Sequence, residues 1–364
     1  MITKIKKNIF DYSQIIYPYY SKSSILKNKE LVSTNALIYH ALINFHLGNK
    51  IEARNITNLC IQNLKKEKIY ISNEISIKHS ESYKDFHKIA LLAQLFCSIE
   101  ESYKNIEKLY KDILSKENFL LISDQSLFIQ EIKSLSLKNS WHDSNIIMAM
   151  FTLRFAFCKG NKKDKGLNEC IDYLVSIQNS KTGFWHSKNG FGGNLNAMAG
   201  TYHYLPLFLS IDRKIPKRKN IIKSTLSLYI KNGHFSAPKG HSCIDLDAFS
   251  IFLYCRNSIE KTSINKINNY SKDFINDLYN ISNKDGGFSD FPTNYKIKDL
   301  INYIVIVIFK LITNKNIYTF LWNLKSIFRT LPYIKQKLKI TSNSDYLCSA
   351  YIEESNIFSC WFKL

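Results

Sequence analysis

Three turns of one pattern, set about fifty residues apart, constrain this chain more than any other feature of its sequence. The first reads Gln178-Asn179-Ser180-Lys181-Thr182-Gly183-Phe184-Trp185. The second reads Tyr229-Ile230-Lys231-Asn232-Gly233-His234-Phe235. The third reads Ile281-Ser282-Asn283-Lys284-Asp285-Gly286-Gly287-Phe288. In each, a helical pattern stops, a polar turn follows, and glycine leads to an aromatic. The glycine permits positive φ where a helix ends, and the aromatic can fold back over the hairpin. Trp185, Phe235 and Phe288 lie 50 and 53 residues apart. Two helices per period of this length mean stacked helical hairpins.

The hydrophobic pattern between the turns agrees. Apolar residues recur at helical spacing over 31–47, 56–64, 84–99, from 103 to 113, 141–158, 167–178, 195–209, 221–229, 246–254, 264–279, 300–311 and 318–328. Little alternation of the kind a sheet needs is present. About twelve helices are therefore expected, paired into six hairpins. A double ring, the (α/α)6 toroid, would place one helix of each hairpin around a central cavity, and an open helical-hairpin solenoid is the alternative. Residues 1–364 are read as one domain, with the clearest repeats over 160–295.

The segment Tyr173-Leu174-Val175-Ser176-Ile177-Gln178, followed by a short spacer and Gly183-Phe184-Trp185, resembles the repeat of the α/α-toroid superfamily. That superfamily includes terpenoid (squalene-type) cyclases and protein prenyltransferase β subunits. The resemblance implies structural roles for two residues: Gln178 would cap or bridge a neighbouring helix end, and Trp185 would pack over it. The turns at Gly233 and Gly287 keep the glycine and the aromatic but lack the glutamine.

The segment His241-Ser242-Cys243-Ile244-Asp245-Leu246-Asp247-Ala248-Phe249 carries the candidate chemistry. Two carboxylates this close repel each other, and in a desolvated place one of them keeps its proton. A neutral carboxylic acid can protonate an alkene or an epoxide. The same two acids could instead cap a helix start. The segment resembles the Asp-x-Asp-Asp motif of class II terpenoid cyclases at Asp245 and Asp247. The resemblance implies that Asp247 is the general acid and Asp245 tunes or orients it. The motif's third acid is replaced by Ala248, which removes a carboxylate that helps hold the proton.

The resemblance to prenyltransferases would imply a zinc site, but its pattern is not reproduced. Cys243-Ile244-Asp245 has the reverse order, and no histidine follows His241. No cofactor is assigned. Gly200-Thr201-Tyr202-His203-Tyr204 is a polar insertion in an apolar helix, so Tyr202 and His203 could face a cavity or sit as satisfied core groups. Trp141 is a further candidate lining residue, and aromatic faces suit a carbocation or other cation. In Trp141-His142-Asp143-Ser144, Asp143 or Ser144 is expected near a helix cap. Gly190-Phe191-Gly192-Gly193 follows no strand and is read as a rim loop rather than a phosphate loop.

Charge and cysteines limit the partners. Lys and Arg number 50 against 30 Asp and Glu, a net charge of +20. Only six of the basic residues are arginine, the residue that reads phosphates and base edges bidentately, and they are scattered. No nucleic-acid partner is expected. The densest basic group, residues 212–219, reads as a solvated turn or helix start, with an anionic membrane or pyrophosphate contact as the alternative. The eight cysteines form no CxxC pair and read as buried thiols. No signal peptide is visible, and the apolar run at 301–309 is too short to span a bilayer. A soluble or peripheral cytoplasmic protein is expected. Three readings follow: an isoprenoid-active enzyme of the class II cyclase type, a noncatalytic or peptide-binding toroid, and a polysaccharide-acting toroid enzyme.

Overall fold

Helices joined by short turns make up the regular structure that the computed structural model describes. It describes residues 34–70, 80–185, 193–229, 235 and 242–280, with single positions at 301, 304, 305, 308 and 312. Among these residues there are twelve α-helices and no strand: α1 (Thr34–His46), α2 (Lys50–Tyr70), α3 (Ser80–Glu100), α4 (Ile106–Ile113), α5 (Lys116–Ser123), α6 (Gln125–Ser134), α7 (Ser140–Phe157), α8 (Lys165–Ile177), α9 (Gly193–Ser210), α10 (Arg218–Leu228), α11 (Ser242–Tyr254) and α12 (Lys261–Asn280).

The helices sort into two layers. α1, α3, α7, α9 and α11 pack side by side in chain order. α2, α8 and α10 pack against them, and the short α4, α5 and α6 fill the stretch between α2 and α8. Burial follows the layers. α7 and α9 are buried nearly all round, with Ile146, Ile147, Met150, Phe151 and Leu153 on one and Leu195, Met198, Tyr204, Leu205 and Phe208 on the other. A helix apolar on every face has neighbours on every face. α4 buries only Ile106, Leu109, Tyr110 and Ile113, one stripe, as a covering helix should.

Ten of the twelve expected helices coincide with described ones to within a few residues at most ends; the second is longer than its periodic core, running Lys50–Tyr70. The structure adds two the periodicity did not mark, α5 and α6, which are 8 and 10 residues long. Both begin on a capping side chain: Ser115 accepts from the Asn118 N–H, and Asp124 accepts from the Leu127 N–H. The expected helix at 300–311 is represented by Ile301, Ile304, Val305 and Ile308, all helical, and Ile312 extends it. The expectation at 318–328 and the third glycine turn lie outside the described residues.

One buried ion pair fixes the second layer to the first. Arg154 of α7 donates from Nε and Nη2 to the two carboxylate oxygens of Asp164, at 2.8 and 2.9 Å. Its Nη1 donates to the Ile122 carbonyl at the end of α5, and the guanidinium lies 5.1 Å from the centre of the Phe128 ring. Asp164 also accepts from the Leu167 N–H and so caps α8. A single bidentate pair thereby ties α5, α6, α7 and α8 together.

The basic stretch at 212–219 is a turn and helix start with partners. Arg213 pairs with Asp172, Asp212 with Lys162, and the Lys217 ammonium donates to the Gln178 carbonyl. No helix among the described residues is long and apolar enough to cross a membrane.

Candidate functional site

The site is built from the repeat turns. At the first, Gly183 has φ +75°, and a Cβ there would meet Ile221 at 2.8 Å, so glycine is required on both counts. Gln178 Nε2 donates to the Gly183 and Pro216 carbonyls, which bridges the turn to the start of α10. The Trp185 indole N–H donates to the Leu174 carbonyl, and its ring lies against Tyr204 and Phe208 of α9. The Trp185 backbone N–H donates to Thr201 Oγ1 on the same helix.

Of the second turn, Phe235 makes comparable contacts with other side chains. Phe235 is buried against Phe249 and Phe252 of α11, and its backbone N–H donates to Asp245 Oδ1 at 2.9 Å. Asp245 thus does for Phe235 what Thr201 does for Trp185. One sequence offset relates Thr201 to Asp245 and Phe208 to Phe252. The same offset relates His203 to Asp247. The imidazole and the second carboxyl therefore hold equivalent places on adjacent helices of the first layer, since α9 packs against α11.

Asp245 and Asp247 are both buried, at 0% and 2% exposure. Neither is a surface helix cap. Asp245 holds the Phe235 N–H. Asp247 Oδ2 is buried with no hydrogen-bond partner among the described residues. Burial first, and then the neighbouring Asp245 charge, push the Asp247 carboxyl well above the usual carboxylate range. Both causes favour the neutral, protonated form of Asp247 over the carboxylate. Ala248, where the cyclase motif has its third acid, is buried in the core. The equivalent place on α9 is Tyr204, which packs on Trp185.

His203 lies with its Nδ1 2.8 Å from Ser144 Oγ on α7. The Ser144 hydroxyl donates to the Trp141 carbonyl, so its one proton is committed. His203 then donates from Nδ1, and its Nε2 keeps the lone pair. Burial, with His87 nearby, lowers the His203 pKa to about 3, so the ring is neutral. The Tyr202 ring adjoins His203 and stacks at 6.4 Å on Tyr254 of α11. Trp141 is half-buried in the first turn of α7, and its backbone N–H donates to Asn196 Oδ1. Asn196 in turn donates to Asn139 Oδ1, which joins the starts of α7 and α9. Close contact there depends on Gly200, because a Cβ at that position would stand 2.6 Å from the Ser140 carbonyl oxygen.

The expectation of a cap at Asp143 or Ser144 is corrected. The cap of α7 is Asn139, whose side chain accepts from the His142 N–H. The helix starts four residues earlier than Ser144, so Asp143 and Ser144 point into the helix layer instead. Asp143 Oδ1 lies 3.2 Å from His142 Nδ1, and burial first, then the Asp143 charge, push the Tyr204 phenol up. His241 lies outside the described residues.

Of the candidate residues, the structure sets Trp141, Tyr202 and His203 along the α7–α9 seam and Asp245 and Asp247 on the next helix. Sequence reading passed over Ser144 as a partner of His203, and Thr201 and Asn196 as supports. The only sequence signal for Thr201 is the offset it shares with Asp245, which becomes visible once the turn bonds are known. Among the described residues no group of three His, Cys, Asp or Glu could hold a metal ion. Cys60, Cys170 and Cys255 are buried cysteines and Cys97 and Cys158 are half-buried ones. Burial raises the Cys97 pKa to about 11, so it is no ready nucleophile.

No protein-family model, no curated protein and no solved structure matches the chain. Fold and site together define a class: an all-helical protein built of helical hairpins that carries a buried pair of acids, Asp245 and Asp247, on one helix of its first layer.

Proposed function

We propose that this protein is an isoprenoid-active enzyme of the class II terpenoid cyclase type, in which Asp247 protonates an alkene or epoxide. The reading includes closure of the first helix layer into a toroid around an apolar cavity. The observation that carries it is the burial of Asp247 beside Asp245, which favours the protonated acid. In the step, the Asp247 proton passes to the alkene carbon or epoxide oxygen. The electron pair of the next double bond then forms a carbon–carbon bond, and the positive charge moves along the chain. Water finally takes a proton from a carbon next to that charge, giving an alkene, or adds to the cation and loses a proton, giving an alcohol; the proton released to solvent balances the one that Asp247 regains from it. Tyr202, Tyr254 and Phe249 offer aromatic faces to the cation.

The Phe235 N–H holds Asp245, the acid expected to tune Asp247, in place beside it. The readings as a peptide-binding toroid and as a polysaccharide-acting enzyme rest on surface caps and on an open polar groove, respectively, and buried acids favour neither. On the proposed reading the protein is cytoplasmic and takes an apolar small molecule. The test is incubation of the purified chain with oxidosqualene and a panel of prenyl diphosphates, with products analysed by mass spectrometry. Wild type forms a new hydrocarbon or alcohol and Asp247→Asn does not. Equal product from both overturns the assignment.

A further inference from the structure

Away from the candidate site, the turns that follow α7, α9 and α11 form one basic edge. With the helix starts after them they span 158–165, 211–219 and 255–261. Eleven basic and three acidic residues fall within them. One of the acids, Asp164, is held by the buried Arg154. Side chains draw the turns together. Lys162 Nζ lies 2.7 Å from Asp212 on the second turn, and Lys219 Nζ lies 3.9 Å from Glu260 on the third. Lys163, Lys214 and Lys261, one from each turn, are exposed and make no ion pair among the described residues.

Helix stability does not account for this charge. The positive end of a helix dipole disfavours cations. Yet α8, α10 and α12 open on Lys165, Arg218 and Lys261, with no acid in the first turn of any of them. Basic residues run from Lys217 to Lys219, and no side chain caps α10. The charge therefore serves an anionic partner rather than the fold. Two leucines say which kind. Leu209 and Leu253 are 45% and 59% exposed in the last turns of α9 and α11. The offset that relates Phe208 to Phe252 relates these two as well, so each stands just ahead of its basic turn. A phosphodiester backbone makes no use of aliphatic side chains, and its bidentate recognition favours arginine, which supplies only three of the eleven basic residues. A protein segment that mixes carboxylates with aliphatic side chains suits both the lysines and the leucines. A second copy of this chain would instead bring another net charge of +20 against the edge.

We propose that this basic edge, with Leu209 and Leu253 beside it, docks an acidic, aliphatic segment of a partner protein. The proposal goes beyond the cyclase reading and does not need Asp247 to act as an acid. Peptide binding and product formation are separate measurements, so either can fail alone.

The test is fluorescence anisotropy of the full chain with a labelled synthetic peptide of glutamate pairs alternating with leucine, and with the same peptide carrying serine for leucine. The leucine peptide should bind, weaken with salt, and bind roughly fivefold more tightly than the serine one. Lys163→Glu, Lys214→Glu and Lys261→Glu should each weaken binding roughly fivefold at low salt, whereas Lys133→Glu, at an exposed position on α6, should not. Lys163→Gln and Lys214→Gln, with roughly twofold losses expected, serve if a charge reversal does not fold by circular dichroism. Leu209→Ser with Leu253→Ser should abolish the preference for the leucine peptide. No binding by wild type overturns the proposal, as does an equal loss with Lys133→Glu or a leucine preference that survives the serine substitutions. Tighter binding to double-stranded DNA or to phosphatidylserine vesicles than to the peptide also overturns it. So does a dimer in analytical ultracentrifugation that the charge reversals break up, because the edge would then meet a second copy.

Discussion

Replacing Asp247 by asparagine should change how stability depends on pH, and the size of the change follows from its burial. In the unfolded chain an aspartate carboxyl loses its proton near pH 3.9. In the folded chain burial and Asp245 hold that proton to a much higher pH. Between those two points the unfolded state releases a proton that the folded state retains. Wild-type stability therefore falls as pH rises, by about 1.4 kcal/mol per pH unit from this group alone. The loss begins near the unfolded pKa and ends at the folded one. Asp247→Asn keeps the shape and cannot titrate, so the loss disappears in the variant. His40 and His203, with pKa values lowered to about 4 and about 3, act in the opposite direction. They keep stability above the unfolded histidine pKa and lose it as pH falls toward the folded one. Both proteins share that contribution, and it cancels in their difference. The assay is urea unfolding followed by circular dichroism in unit steps from about pH 4 to about pH 8. The difference should move in favour of the variant at about 1.4 kcal/mol per unit. A difference that stays constant across the series would refute the claim that the folded protein keeps Asp247 protonated.

Other substitutions test the scaffold. Arg154→Ala leaves Asp164 and the Ile122 carbonyl without their buried partner, and should cost about 3–5 kcal/mol by urea titration; a cost below about 1 kcal/mol would show that the pair does not join the layers. Gly200→Ala should cost about 1–3 kcal/mol, because its Cβ must part α7 from α9, and an unchanged melting temperature would contradict the close contact with Ser140. Asp245→Ala strips the acceptor from the Phe235 N–H and should cost about 1–3 kcal/mol. Asp245→Asn keeps an oxygen for that bond and should cost less, while ending the charge repulsion, so the pH window of the Asp247 effect should narrow. A window of unchanged width in Asp245→Asn would remove Asp245 as a cause of the shift.

The helix pairs were legible because an apolar stripe that repeats over three or four turns fits a helix and no strand. α5 and α6 escaped because two or three turns are too few to establish a period, although the caps at Ser115 and Asp124 stand in the sequence. The site was half legible. Two acids two residues apart suggest mutual repulsion, but the environment of each comes from the fold. Asp245 owes its role to a turn residue brought back against α11, and His203 owes its partner to Ser144 on another helix. Such bonds carry no local signal. The equivalence of His203 and Asp247 became readable only when the bonds to Trp185 and Phe235 showed which residues of the two repeats correspond.

The most direct test of Asp247 as the proton donor is to run the reaction with isoprenoid substrates in heavy water. A substrate protonated at carbon by an exchangeable acid gives a product with one deuterium at that carbon; an epoxide gives a hydroxyl instead, so the alkene substrates decide. The account predicts one deuterium per product molecule in wild type and no product with Asp247→Asn. A cyclised product without carbon-bound deuterium, or one formed equally by the variant, would contradict it.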